Sequence, residues 1–269
     1  MTYCVGLLLD QGLVMASDSR TNAGVDYISS YSKLHLFQPA PDRFFVLLAA
    51  GNLATNQEVL SRIRRDLDQA VNPGPSQQAP GETLLSVGYL FEAATYLGGV
   101  SLAVQNEHGP ALRQAGASVD ATFLLGGQIA GQSPGLYMVY AQGNWISATP
   151  ETPYLQIGES KYGKPALDHI VHPGLSLDDG ARVCLVSLAG TARSNLTVGP
   201  PYEVVTCPRD QLAPSKRLKL EADSEALRDL TRNWSERFRD AFYGLPRFPW
   251  EESEVAMDQA AELPPRIPS

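Results

Sequence analysis

Residues 43–50, Arg-Phe-Phe-Val-Leu-Leu-Ala-Ala, are apolar at every position from Phe44 on, and Gly51-Asn52 ends the run. Eight residues are too few to cross a bilayer, and a short unalternating apolar run suits a strand buried on both faces. A chain built around such a strand must supply one layer above it and another below.

The rest of the pattern supplies those layers. Residues 3–9 are apolar and β-prone and stop at Asp10-Gln11-Gly12, and residues 13–17 form a second apolar run. Together they predict a hairpin with Asp18 just beyond its second strand. Residues 33–38 alternate weakly through Leu34 and Leu36. Helical spacing over 53–70 comes from Leu53, Val59, Leu60, Ile63 and Leu67, with charges opposite. After a loop at 71–81, a second helix is predicted over 82–104, with Leu84, Leu85, Val87, Leu90, Phe91 and Leu97 inward. Strands follow at 120–127, 135–141, 145–146 and 153–157, helices at 159–171 and 177–188, and a strand at 202–207. A last amphipathic helix, 222–242, lines up Leu227, Leu230, Trp234, Phe238 and Phe242, and a proline-rich tail, 245–269, reads as extended or loose. Runs of strands followed by helix pairs argue an α+β fold. Two antiparallel sheets between helix pairs, a four-layer αββα sandwich, would bury both faces of each sheet.

Composition narrows the function. With 269 residues, 43% of them hydrophobic, the chain can bury a sizeable core. The net charge of −8 disfavours nucleic acid and anionic membrane as partners. The short basic run Lys216, Arg217, Lys219 reads as a solvated helix face or loop. Three widely spaced cysteines, Cys4, Cys184 and Cys207, signal neither a zinc site nor a disulfide framework, and fit a reducing, cytoplasmic setting. The opening Met-Thr-Tyr-Cys-Val-Gly lacks the positive region of a signal peptide. His169-x-x-His172 is a pair and not a metal site. No GxSxG, GxGxxG or phosphate-binding loop is present, so no cofactor or metal is expected.

One constellation carries chemistry. Thr2 follows the initiator Met and opens the first strand, Asp18 and Arg20 follow the return strand, and Lys33 comes fifteen residues after Asp18. A threonine hydroxyl needs a base. Once Met1 is removed, Thr2 carries its own in the α-amine, with a reference pKa of about 7.7–8.0. A neighbouring Lys⁺ favours the alkoxide, an Asp keeps that lysine charged and oriented, and a glycine N–H at a strand end stabilises an oxyanion. Cys4, two residues into a strand, reads instead as a buried small hydrophobe.

Thr2, Asp18, Arg20 and Lys33, with the segment Leu-Leu-Ala-Ala-Gly51-Asn, resemble the proteasome β-subunit pattern. Residues 124–143 resemble that family's mid-chain hairpin, and Gln156-Ile-Gly-Glu-Ser160 its Gly-Ser-Gly segment at a helix start. The wording around 157–165 and the long C-terminal extension are most similar to the bacterial Anbu branch of proteasome-related proteins. The resemblance spans residues 2–207, implying a catalytic domain of N-terminal-nucleophile type there, and an extension over 208–269. It implies a threonine hydrolase acting on a peptide or amide, with Thr2, Asp18 and Lys33 catalytic, Gly51 serving the oxyanion, and Ala49 and Leu53 lining a modest apolar pocket. It also implies a large homo-oligomer, either a ring or an open helical stack. Two alternatives stay open: an amidase or transferase on a small or isopeptide-like amide, and a non-catalytic assembly subunit. The amine-side support departs from the family. Glu159 and Ser160 stand where a single serine is usual, and Ser194-Asn-Leu-Thr197 stands where the family has Asp-x-x-Ser, so the carboxylate there is missing.

Overall fold

A computed structural model describes residues 2–22, 28–72 and 81–251. The proline-rich tail beyond 251 lies outside the described residues. Two five-stranded antiparallel sheets carry the architecture. The first runs β10 (Tyr154–Gly158), β1 (Tyr3–Leu9), β2 (Gly12–Asp18), β11 (Tyr202–Pro208), β12 (Lys216–Leu220). The second runs β5 (Leu34–Ala40), β6 (Arg43–Gly51), β7 (Ala121–Ile129), β8 (Gly135–Val139), β9 (Trp145–Ser147). A small hairpin of β3 (Arg20–Asn22) and β4 (Ile28–Ser30) stands apart.

Strand β6 shows why its sequence has no alternation. Phe44, Val46 and Leu48 join Leu13, Met15, Leu124 and Leu136 in one buried cluster. Phe45, Leu47 and Ala49 join a second cluster with Phe123 and Leu125 of β7. Successive side chains point to opposite faces, so a strand with an apolar cluster on each side is apolar throughout. The second cluster is closed by helices α1 (Leu53–Val71) and α2 (Leu90–Gln114), through Val59, Ile63, Ala93 and Leu97. Helix α4 (Leu177–Ser194) lies on the first sheet at Gly180, where an added Cβ would come within 3.0–3.3 Å of Leu9, Val14 and Leu7. The short helix α3 (Lys164–Ile170) precedes it.

Several elements differ from the sequence expectation. Helix α2 starts at Leu90 and not at 82, because the Glu92 carboxylate takes the N–H groups of Gly88 and Tyr89 and caps the chain there. It continues to Gln114 through Pro110, beyond the expected end at 104. Helix α3 starts at Lys164 and not at 159, with Pro165 in its first turn, which frees 159–163 to wrap beside Thr2. Lys216–Leu220, read as a solvated basic run, is an edge strand paired with β11. The compact unit accordingly runs past the expected boundary at 207, as far as Leu227, and a second unit comprises 228–269. Helix α5 spans Glu225–Tyr243. Within the second unit Trp234 and Phe238 stack at 6.1 Å, and both are exposed.

Gly98 in α2 faces the turn after β8 at backbone distance, and an added Cβ would sit 2.1 Å from the Gly143 carbonyl oxygen. Alanine is normally preferred over glycine inside a helix by about 1 kcal/mol. Gly98→Ala should reverse that sign and destabilise the protein by about 1–3 kcal/mol, as overpacking does. A denaturant melt showing a more stable variant would contradict this packing.

Candidate functional site

Asp18 ends β2 fully buried, and its carboxylate collects three donors from three parts of the chain. Oδ1 accepts from the Tyr3 N–H at 3.0 Å and from Lys33 Nζ at 2.6 Å, and Oδ2 accepts from the Gly199 N–H at 3.3 Å. Burial holds the Asp18 carboxyl above its usual range, and the Lys33 charge with the two N–H donors pulls it back. Lys33 is 7% exposed and donates a second bond to the Arg20 carbonyl at 2.7 Å. The Arg20 guanidinium points elsewhere. It donates to the Leu196 carbonyl at 2.9 Å and packs against Gly199, so it pins the loop that follows α4.

Thr2 is half-buried at the mouth of β1. Its carbonyl accepts from the Glu159 N–H at 2.7 Å. This approach requires Gly158, at φ +80°, because a Cβ there would stand 1.9 Å from the same carbonyl oxygen. The next residue, Tyr3, is anchored from inside, its hydroxyl bonded to Ser187 at 2.7 Å and to Gln156 at 2.5 Å. The start of β1 is thus fixed at both its backbone and its first buried side chain.

The residues named on the amine side separate. The Glu159 carboxylate accepts from Asn195 Nδ2 at 2.9 Å, and Asn195 Oδ1 in turn accepts from the Thr197 hydroxyl at 2.6 Å. Glu159, Asn195 and Thr197 are therefore one connected group beside Thr2. Ser160 takes part through its backbone, its carbonyl accepting from Lys164 N–H and from the Gln156 side chain. Ser194 stands exposed at the end of α4, outside the group. Asn195 escaped the sequence reading because that reading looked in this segment for a carboxylate. The signal was present in the departures themselves, an acid gained at 159 and an acid lost near 195.

Thr2, Lys33, Ala49, Gly51 and Leu53 line one cavity of about 460 Å³ between the edge of the second sheet and α1. Gly51 sits at φ +107°, and a Cβ would meet the Asp120 carbonyl at 2.2 Å, so only glycine fits. The cavity reaches well beyond Ala49 and Leu53. His35, Asn56, Gln57, Ser61 and Arg64 also form its wall, and sequence patterning could not gather them because they come from β5 and the length of α1. Cys4 is buried with its thiol against the Ala49 carbonyl at 3.8 Å, and burial pushes its pKa up, away from thiolate chemistry. Among the described residues one group has metal-ligand geometry, Glu58, Glu107 and His108, and Arg62 already bonds both glutamates. His169 and His172 are not in it.

Asp18→Asn leaves Lys33 buried without a countercharge and should cost about 3–5 kcal/mol by chemical denaturation; a loss under 1 kcal/mol would show the pair to be dispensable. His35 provides a second check. Burial and the nearby Arg64 lower its pKa from 6.5 to about 4, with Glu203 opposing and Arg217 adding to the effect. The unfolded chain then binds the extra proton between those two values. The contribution of His35 to stability is complete above about 6.5 and is lost as pH falls towards 4. The imidazole resonances of His35 should titrate with a midpoint near 4, and a midpoint near 6.5 would contradict its burial beside Arg64.

No protein-family model and no curated protein sequence matches this chain. Solved structures do. Anbu (ancestral beta-subunit) from Yersinia bercovieri superposes with a TM-score of 0.81 at 40% identity, covering 92% of this chain and 99% of its own. Anbu from Hyphomicrobium sp. strain MC1 gives a TM-score of 0.79 at 40% identity, with the same coverage. The helical assembly of the Anbu complex from Pseudomonas aeruginosa gives 0.82 at 39%, covering 92% of this chain and 98% of that one. At such identity over nearly the full length of both partners, the chain belongs to the Anbu branch of proteasome-related proteins.

Proposed function

We propose that the protein is an N-terminal threonine hydrolase, which cleaves a peptide or amide bond through an acyl-enzyme on Thr2. The observation that carries this reading is the convergence of Thr2, Lys33 and Gly51 on one cavity, with Lys33 held from behind by a buried carboxylate. After Met1 is removed, the free α-amine of Thr2 takes the proton from the Thr2 hydroxyl. The oxygen attacks the substrate carbonyl, the protonated amine returns its proton to the leaving nitrogen, and water later releases the acyl group by the same route. Lys33 contributes positive charge that favours the alkoxide and disfavours the ammonium.

The oxyanion assignment rests on strand geometry. The Ala49 N–H donates to the Lys33 carbonyl at 3.2 Å, towards β5. Strand alternation turns the Gly51 N–H to the same edge, two residues on and past the start of β5 at Leu34. That N–H is available to a developing oxyanion, an interaction worth about 2.7–4 kcal/mol where single donors have been removed. We assign to Glu159 the role of holding the α-amine, supported by its N–H on the Thr2 carbonyl and by Asn195, which orients its carboxylate.

The fold that this reading entails is the four-layer αββα sandwich of N-terminal-nucleophile hydrolases. It is supported by the two clusters on either face of β6 and by α4 on the first sheet. We assign residues 2–227 to the catalytic unit and the rest to an extension. Self-association into an open helical stack or a ring is supported by the helical assembly of the Pseudomonas aeruginosa relative. A cytoplasmic setting is supported by three buried free cysteines, and among the described residues no helix is long and apolar enough to cross a membrane.

Intact mass decides the central claim. The purified protein should lack Met1 and gain one adduct from a threonine-directed β-lactone, and Thr2→Ala should gain none. Lys33→Ala should slow labelling by about 10²–10³-fold, the range for a lost electrostatic stabiliser. A retained Met1, or an adduct that survives in Thr2→Ala, overturns the reading.

A further inference from the structure

The cavity beside Thr2 is a cleft. The α1 residues on its wall, Leu53, Asn56, Gln57, Leu60, Ser61 and Arg64, form a single helical stripe. At 1.5 Å per residue, that stripe carries the cleft about 17 Å along the helix axis. Its far end is built by β5 and the last residue of the stripe. His35 and Phe37 share one face of β5, and the Arg64 guanidinium lies 6.0 Å from the centre of the Phe37 ring.

The charge of this cleft is unlike that of the chain. The protein carries a net charge of −8, yet among the described residues no Asp or Glu lines the cavity. Of its two cationic side chains, Lys33 is committed to Asp18. The neighbours Arg62 and Arg65 each pair with a carboxylate, whereas Arg64 pairs with none among the described residues. His35 beside it stays neutral at physiological pH, so among the described residues Arg64 is the cleft's one uncommitted side-chain charge. Nearer Thr2, Asn56 is 7% exposed and its Oδ1 is buried with no hydrogen-bond partner. An unpaired buried acceptor is costly, and a ligand N–H would satisfy it.

We propose that the cleft selects an acyl chain bearing a carboxylate, paired by Arg64 as the specificity residue, with Asn56 accepting an amide N–H of the same chain. This deepens the reading of Thr2 as nucleophile and rests on it. Arg64 does not touch the reacting atoms. It sets which acyl group lies along α1 when Thr2 attacks.

Peptide epoxyketones, which require both the hydroxyl and the α-amine of an N-terminal threonine, test this. Three would be compared by the rate of intact-mass adduct formation: one with Glu at the electrophile-bearing residue, one with Leu there and a succinyl cap, and one with Leu and an acetyl cap. At least one acidic probe should react about fivefold or more faster than the neutral one, the scale of a partly exposed ion pair. Which of the two wins shows whether the carboxylate is a side chain or lies further along the chain. Arg64→Glu should erase or invert the preference, and Arg64→Lys should keep part of it. Equal rates for all three probes, or a preference untouched by Arg64→Glu, overturn the proposal while leaving the Thr2 reading intact.

A second measurement needs no nucleophile. The succinyl- and glutamyl-containing peptide amides, titrated into the Thr2→Ala protein, should shift the His35 imidazole resonances at concentrations about fivefold below those needed for the acetyl-leucyl amide. Acid-selective binding with no probe labelling would uphold the cleft and sink the Thr2 reading. Binding without acid selectivity would sink the cleft.

Discussion

The buried ion pair between Lys33 and Asp18 holds the site together. With the lysine side chain 8% exposed and the carboxylate at 0%, neither partner has water to fall back on. Taking both charges out of water costs several kcal/mol each, and the pair is tolerable only if the remaining lone pairs and protons are also used. Most are: the Tyr3 and Gly199 N–H groups complete Asp18, and the Arg20 carbonyl takes a second bond from Lys33, leaving one ammonium proton at the cavity. The price of these bonds is that β1, β2, the start of β5 and the loop after α4 must all meet at one point. The ion pair is weak evidence for stability and strong evidence for geometry.

The opposite side of Thr2 shows a rearranged set of polar residues. The sequence has no acid in the Ser194–Thr197 segment, and a carboxylate stands instead at the end of a different strand, at Glu159. Asn195 then becomes the partner that orients it, through a bond at 2.9 Å. The late start of α3 makes this arrangement feasible. Pro165 lets the helix start only at Lys164, so Glu159 stays in the bend after β10 with its N–H on the Thr2 carbonyl.

Legibility in the sequence followed the physics of each element. Strand β6 was readable because burial on two faces strips a strand of polar residues. Strand β12 was not, because an edge strand with Lys216, Arg217 and Lys219 exposed has the composition of a solvated loop and earns its place by pairing alone. The proposed trio could be picked out because it is local: Thr2, Asp18 and Lys33 lie within a single run of strands, at intervals set by strand length. The wall of the cleft was not. His35 and Arg64 are ordinary residues in their own segments, and they acquire a joint meaning only when α1 is laid across β5.

That division also separates two kinds of constraint on the same cavity. The residues that would act on the scissile bond are fixed by backbone, at a positive-φ glycine, a strand end and a buried salt bridge, where few substitutions are tolerated. The residues that would choose the substrate stand on one stripe of a helix, where side chains at every third or fourth position change the lining without moving the backbone. Helix α1 can therefore vary Gln57, Ser61 and Arg64, the exposed positions of that stripe, while Val59, Leu60 and Ile63 keep it docked on the sheet. A fold arranged this way could keep one reaction while changing its substrate, and on the reading proposed above the charge at Arg64 is the point where this chain would make its choice.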